Sequence, residues 1–163
     1  MKNKDRFLTL ISEIDDELDN IEAIAESLAF LPGKIKKSKA EDKRYMLESG
    51  GLELHNFCIA CERIFRKIAG EVNGGLPSSI DLHMRLLNIM TLEIEGKRPP
   101  AIKKKTAKKL AEYLKFRHLL MNLYGFELQA ERIFPLIKAL PDVKKGFRKD
   151  IEEFLVFLKS VAF

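Results

Sequence analysis

The side chains best able to do chemistry stand in one run, Phe116-Arg117-His118-Leu119-Leu120-Met121-Asn122-Leu123-Tyr124-Gly125-Phe126-Glu127-Leu128. On a helix turning by about 100° per residue, with Arg117 set at zero, Tyr124 falls near −20°, Met121 near 40°, His118 near 100° and Asn122 near 140°. These five share one side. Arginine, histidine, asparagine and tyrosine together supply a fixed cation, a titratable imidazole, an amide and a phenol. Such a set can hold a phosphate and move protons without a metal. Phe116, Leu119, Leu120 and Leu123 fall on the opposite arc, which the pattern predicts to be the face packed into the protein body. Leu110 and Leu114 lie on the Arg117 side one and two turns earlier. They form an apolar shelf that predicts cover by a second chain.

The elements that must position this run are helical. Phe7, Leu10, Ile11, Ile14, Leu18, Ile21, Ile24, Ala25 and Leu28 recur at three- and four-residue steps, which predicts a helix from about Asp5 to Leu31, stopped by Pro32-Gly33. A basic turn leads to a helical stretch from about Ala40 to Val72, interrupted or kinked near Gly50-Gly51. After the Asn73–Pro77 loop, Ser78 or Ser79 caps a third helix running to about Leu92. The Gly96–Pro100 loop precedes a fourth helix from about Lys103 to Tyr124, ended by Gly125. Leu128 to Leu140, with Pro135 inside, and Asp142 to Val161 complete the set. No segment alternates in the manner of a strand. The pattern predicts an all-α fold, an antiparallel bundle of four main helices with short extra ones, in one domain over residues 1–163.

Composition narrows the function classes. Hydrophobic residues make up 46% and charged residues 33% of 163, which excludes a disordered or low-complexity chain. No stretch is long and apolar enough for a membrane span, and Met1-Lys2-Asn3-Lys4-Asp5 leads into an acidic amphipathic segment rather than a signal core. A cytoplasmic protein is expected. The net charge of +5 makes nucleic acid a candidate partner. Seven acidic residues lie between Ser12 and Ser27 with no basic one, a face expected to be solvated. Lysines cluster at 34–39, 103–109 and 144–149.

Cys58-Ile59-Ala60-Cys61, with His55 three residues earlier, has C-x-x-C spacing but no strand-turn-helix context and no fourth metal ligand. Two small apolar side chains facing the core explain it better. His83, near the start of the third helix, reads as a surface or packing residue. The chain has no Gly-rich phosphate loop, no H-E-x-x-H and no G-x-S-x-G.

The Arg117–Tyr124 run resembles the signature of the HEPN superfamily, specifically HepT-like ribonuclease toxins, whose motif is Arg, a polar residue, three further residues, His, one residue, then Tyr. Arg117, His118 and Tyr124 match, and Asn122 stands where the motif has His. The likeness extends over roughly Leu54 to Leu158, through Leu54-His55-Asn56-Phe57, Glu62-Arg63-Ile64-Phe65, Gly75-Leu76-Pro77, His83-Met84-Arg85-Leu86-Leu87, Arg98-Pro99-Pro100 and Tyr124-Gly125-Phe126-Glu127-Leu128. The resemblance implies a homodimer joined through the motif-bearing helix, with the motif residues of both chains lining an interfacial cleft. It also implies the toxin half of a type VII-like HEPN/MNT toxin-antitoxin pair, a metal-independent endoribonuclease with no cofactor. Arg117 would then bind and polarise the scissile phosphate. An amide cannot titrate near neutral pH, so Asn122 could only orient a phosphate or water, and His118, one turn earlier, would take the acid/base role. Tyr124 would receive AMP from a nucleotidyltransferase antitoxin, placing charge and bulk beside Arg117. The alternative is a non-catalytic binding subunit of the nucleotidyltransferase, which Asn122 favours.

Overall fold

The computed structural model describes residues 2–78, 81–122 and 130–163, without the side chains of 119–122. Among the described residues six α-helices follow one another: α1 (Lys2–Ala29), α2 (Leu31–Lys37), α3 (Ala40–Ile68), α4 (Leu82–Met90), α5 (Lys104–Asn122) and α6 (Ala130–Ala162). One π-helical turn, Ala69–Asn73, continues α3. The chain is all-helical, and among the described residues the sole β-type pairing is one bridge between Ile94 and Arg98. None of the described helices is long and apolar enough to cross a membrane.

The long helices pack because each carries one apolar stripe. In α1, Leu10, Ile11, Ile14, Leu18, Ile21, Ala25 and Leu28 are buried, against α3 and α6. The acidic face of α1 is solvated in part, as expected from sequence, with Asp15, Asp16, Asp19 and Glu26 exposed, but three of its seven carboxylates meet cations. Lys67 donates to Glu13 at 3.0 Å, Arg63 approaches Glu17 at 3.7 Å, and Glu22 accepts from both Lys144 and Arg148. The Lys144 hydrogen bond, aided by the charges of Lys144 and Arg148 against partial burial, holds the Glu22 carboxyl below its ordinary range. Glu13, Glu17 and Glu22 thus meet cations of their own chain.

Proline and glycine act differently here from their usual role as breakers. Pro32 lies in the first turn of α2, where its missing N–H would have no helical partner, so Pro32-Gly33 starts a helix as well as ending the one before. Helix α3 runs unbroken through Gly50-Gly51, and both glycines are buried. A Cβ on Gly50 would come within 2.6 Å of Leu31 Cδ2, so this glycine lets α2 approach α3. Pro135 and Pro141 both lie inside α6, so the two C-terminal segments expected from sequence are one helix. Each proline removes one helical N–H, and burial of Ile133, Ile137, Leu140 and Val143 keeps the helix continuous across them. The Tyr113 hydroxyl of α5 donates to the Leu136 carbonyl at 2.7 Å, while its ring meets Phe57 edge-on at 5.2 Å.

Helix α5 is fixed at its start and along its inner face. The buried Asp150 carboxylate of α6 accepts the backbone N–H of Lys103 at 2.9 Å, satisfying an amide at the mouth of the helix. Thr106, Ala107, Leu110, Tyr113 and Phe116 are buried. On the helical wheel these cluster around the Arg117 direction, so the arc bearing Arg117 is turned into the body of the protein. This corrects the orientation inferred from sequence, in which that arc faces a second chain. Leu110, there part of an outward apolar shelf, is 3% exposed and belongs to the chain's own core. Phe116, on the arc expected to pack, is buried, and the side chains of Leu119, Leu120 and Leu123 lie outside the described residues. The buried Tyr113, between Leu110 and Phe116, sets the face.

Candidate functional site

Three helices converge on one buried carboxylate. Glu62 lies within the apolar stripe of α3, between Cys61 and Phe65, and its residue exposure is 6%. A carboxylate there must be paired or hydrogen-bonded. Arg117 Nη1 of α5 donates to Glu62 Oε1 at 2.6 Å, and His83 Nδ1 of α4 lies 2.5 Å from the same oxygen. A carboxylate can only accept, so Nδ1 carries the hydrogen toward Glu62, and Nε2 is the ring nitrogen left outside that bond. Arg117 Nη1 and His83 Nδ1 stand 3.1 Å apart, two donors converging on one acceptor. The Arg117 side chain is 19% exposed and that of His83 45%, so the pair rises from a dry floor toward solvent.

Above this floor is a cleft of about 700 Å³ lined by Asp81, His83, Met84, Leu114, Lys115, Arg117 and His118. Arg117 and His118, neighbours in sequence, therefore open on one cleft, with the His118 side chain exposed and Arg117 pulled inward. A second groove, about 420 Å³, runs between α4 and α5 and is bordered by Lys104 and Lys108; Met84 lines both. Asn122 ends α5, but its side chain lies outside the described residues, as do Tyr124, Ser79 and Gly125.

The C-x-x-C pair belongs to the core, as its sequence context predicts. Cys58 and Cys61 are buried, and burial pushes the Cys58 thiol up to about 12 and the Cys61 thiol well above its ordinary range. A thiol so displaced is a poor nucleophile at neutral pH. Neither is expected to react with a thiol reagent in the native protein at pH 8, and both should react after unfolding. Native-state labelling of either would contradict their placement. Among the described residues no group of three or more His, Cys, Asp or Glu could hold a metal ion.

His55, on the same α3 face two turns before Glu62, is half-buried, and its Nδ1 has no partner among the described residues. Burial pushes its imidazole below the usual range; the Arg117 charge adds to this and Glu62 opposes it. A histidine with a depressed folded pKa binds fewer protons when folded. Its stabilising contribution is thus present above a pH of about 6.5 and lost as pH falls through the folded value. The melting temperature should drop between about pH 7 and pH 5, and His55→Gln should flatten that drop; parallel curves would rule His55 out as its source.

His83 and Glu62 are the residues that sequence reasoning passes over as chemistry. His83 reads as packing because nothing near it in sequence is its partner, and that partner lies 21 residues earlier. The available signal is Glu62 itself, a carboxylate at a core position of an apolar stripe, which calls for a buried cation.

A family model described as HepT-like protein matches residues 51–158, more than half of the chain. The chain is a HepT-like protein. The matched span holds Glu62, His83, Arg117 and His118, and so every side chain of the three-helix convergence in this HepT-like protein; α1 and α2 lie before it. It also carries the Arg117–Tyr124 run on which the HEPN resemblance rests. No curated protein and no solved structure gives a significant match.

Proposed function

We propose that this HepT-like protein is the toxin of a HEPN/MNT-type toxin-antitoxin pair, a metal-independent endoribonuclease that works as a homodimer. The observation that carries the reading is Arg117, anchored through one nitrogen by a buried Glu62 at the floor of a cleft that also presents His83 and His118. A guanidinium has five N–H donors, so anchoring one leaves the others to grip a phosphate. RNA provides its own nucleophile, the ribose 2′-hydroxyl, so the site must supply phosphate charge stabilisation and proton transfer but no metal-bound water. The groove bordered by Lys104 and Lys108 shares Met84 with the cleft, and its two lysines suit the flanking phosphates of a strand.

Control is by a nucleotidyltransferase antitoxin that transfers AMP to Tyr124. Seven residues from Arg117, a phosphodiester and adenosine on that phenol would compete for the cation that holds the RNA phosphate. After co-expression with the partner and ATP, peptide mass spectrometry is expected to show one added AMP, on Tyr124. AMP on any other side chain contradicts the assignment.

Asn122 supports a second reading, in which the same helices form a non-catalytic binding subunit of the nucleotidyltransferase and Arg117 only holds a nucleotide or phosphate. Cleavage of a structured RNA by the native chain and by Asn122→His separates the two. Activity in the native chain favours the nuclease. Activity in Asn122→His alone favours the binding subunit.

A further inference from the structure

We propose that Glu62 and His83 form a carboxylate–imidazole dyad that supplies the general base of this site, leaving His118 the part of the acid. The inference rests on the nuclease reading above and deepens it.

The geometry is that of an oriented base. Glu62 is buried, and its Oε1 accepts from both Arg117 Nη1 at 2.6 Å and His83 Nδ1 at 2.5 Å. A carboxylate on Nδ1 sets the tautomer and ring angle and stabilises the imidazolium that forms when Nε2 takes a proton. The His83 side chain is 45% exposed and lines the cleft, so the ring is wet on the side where substrate would enter and dry on the side where it is held. Arg117 Nη1 stands 3.1 Å from His83 Nδ1, so a phosphate gripped by the free face of the guanidinium is brought beside the imidazole. His118 lines the same cleft from α5, whereas His83 comes from α4. In-line displacement at phosphorus places the entering and leaving oxygens on opposite sides, so base and acid must come from different directions. His83 and His118 enter the cleft from two different helices, so base and acid are carried by separate elements, and Asn122 need not titrate at all.

The step balances without a co-reactant. His83 Nε2 takes the proton of the 2′-hydroxyl as the 2′-oxygen bonds to phosphorus. The bond from phosphorus to the 5′-oxygen breaks, and that oxygen receives a proton from the His118 imidazolium. The products are a 2′,3′-cyclic phosphate and a 5′-hydroxyl, and the proton returns from His83 to His118 through water. Glu62 remains a carboxylate throughout and is a positioning residue.

The test uses the full chain in EDTA on a single-stranded RNA, comparing native protein, His83→Ala, Arg117→Ala and Glu62→Gln, with and without added imidazole. His83→Ala is expected to lower the cleavage rate by about 10²- to 10³-fold, to bind RNA as the native chain does, and to regain activity with imidazole. Imidazole restores a missing proton acceptor and does not repair a damaged fold, so recovery separates catalysis from structure. Glu62→Gln, whose amide oxygen still accepts from Nδ1, is expected to lower kcat and leave KM unchanged. Full-rate cleavage by His83→Ala beside an inactive Arg117→Ala would overturn the dyad and leave the nuclease intact, and a loss in His83→Ala that imidazole does not reverse would overturn it equally. A native chain that cleaves nothing would overturn the nuclease reading, and the dyad with it.

Discussion

Arg117→Ala is expected to reduce metal-free RNA cleavage by about 10²- to 10³-fold, the usual cost of deleting one preorganised donor to a phosphate or oxyanion. The expectation follows from where the guanidinium sits. It is nearly buried, it is held by a carboxylate at 2.6 Å, and it faces a cleft shared with two histidines. An arginine fixed in this way loses little side-chain freedom when a phosphate binds, so most of its interaction energy is available to the transition state. Arg117→Lys makes a sharper comparison. It keeps a cation beside Glu62 and so spares the buried carboxylate, but it replaces a planar fork by a point charge. Stability should then stay near that of the native chain while cleavage falls by at least about tenfold. Initial rates in EDTA alongside thermal melts would show this. Undiminished cleavage by Arg117→Ala would remove the residue from the mechanism.

Arg98→Met is expected to cost about 3 kcal/mol of folding stability. Arg98 is 3% exposed, yet the groups it is hydrogen-bonded to are an amide oxygen and three carbonyls rather than a carboxylate. Its Nε donates to Asn73 Oδ1 at 2.7 Å, Nη1 to the carbonyls of Leu92 at 3.0 Å and Pro99 at 2.9 Å, and Nη2 to the carbonyl of Ile89 at 3.0 Å. Ile89 lies in the last turn of α4 and Leu92 two residues beyond its end, so the cation meets the negative end of the helix dipole. Burial alone lowers the Arg98 pKa from its ordinary value. Methionine fills the space of the stem but donates to none of the four acceptors, of which, among the described residues, the Ile89 carbonyl alone keeps a backbone donor, the Leu92 N–H at 3.1 Å. In a chain of this size about 3 kcal/mol corresponds to a fall in Tm of roughly 6 to 12 °C. Because Arg98 fastens the loop between α4 and α5, the same variant should also loosen the spacing of His83 and Arg117. A loss below about 1 kcal/mol in urea melts would show that these bonds contribute little net stability.

Sequence makes the helical class legible, because a stripe such as Leu10, Ile14, Leu18, Ile21 and Leu28 has one physical solution, a helix buried on one side. It also identifies Cys58 and Cys61 as core residues and Arg117 with His118 as neighbours at one site. Gly50-Gly51 does not read correctly, because a glycine that permits a close helix approach looks in sequence like a glycine that breaks a helix. Whether it packs or breaks depends on Leu31, which stands 19 residues away. The orientation of α5 is hidden because Tyr113 buries as fully as a leucine once its hydroxyl finds the Leu136 carbonyl, a partner that only the folded chain supplies. Glu62 and His83 are visible as residues but not as a pair, since they come together only when α3 and α4 pack. Asn122 and Tyr124, prominent in the motif, carry their weight through the family resemblance alone.

The most direct test of the central claim, that this cleft cuts RNA without a metal, is to analyse the ends of RNA incubated with the native full-length chain in excess EDTA. The account predicts fragments bearing 2′,3′-cyclic phosphate and 5′-hydroxyl ends, as attack by the ribose 2′-hydroxyl requires. Intact RNA, or fragments with 5′-phosphate ends that appear only when a divalent cation is restored, would contradict it.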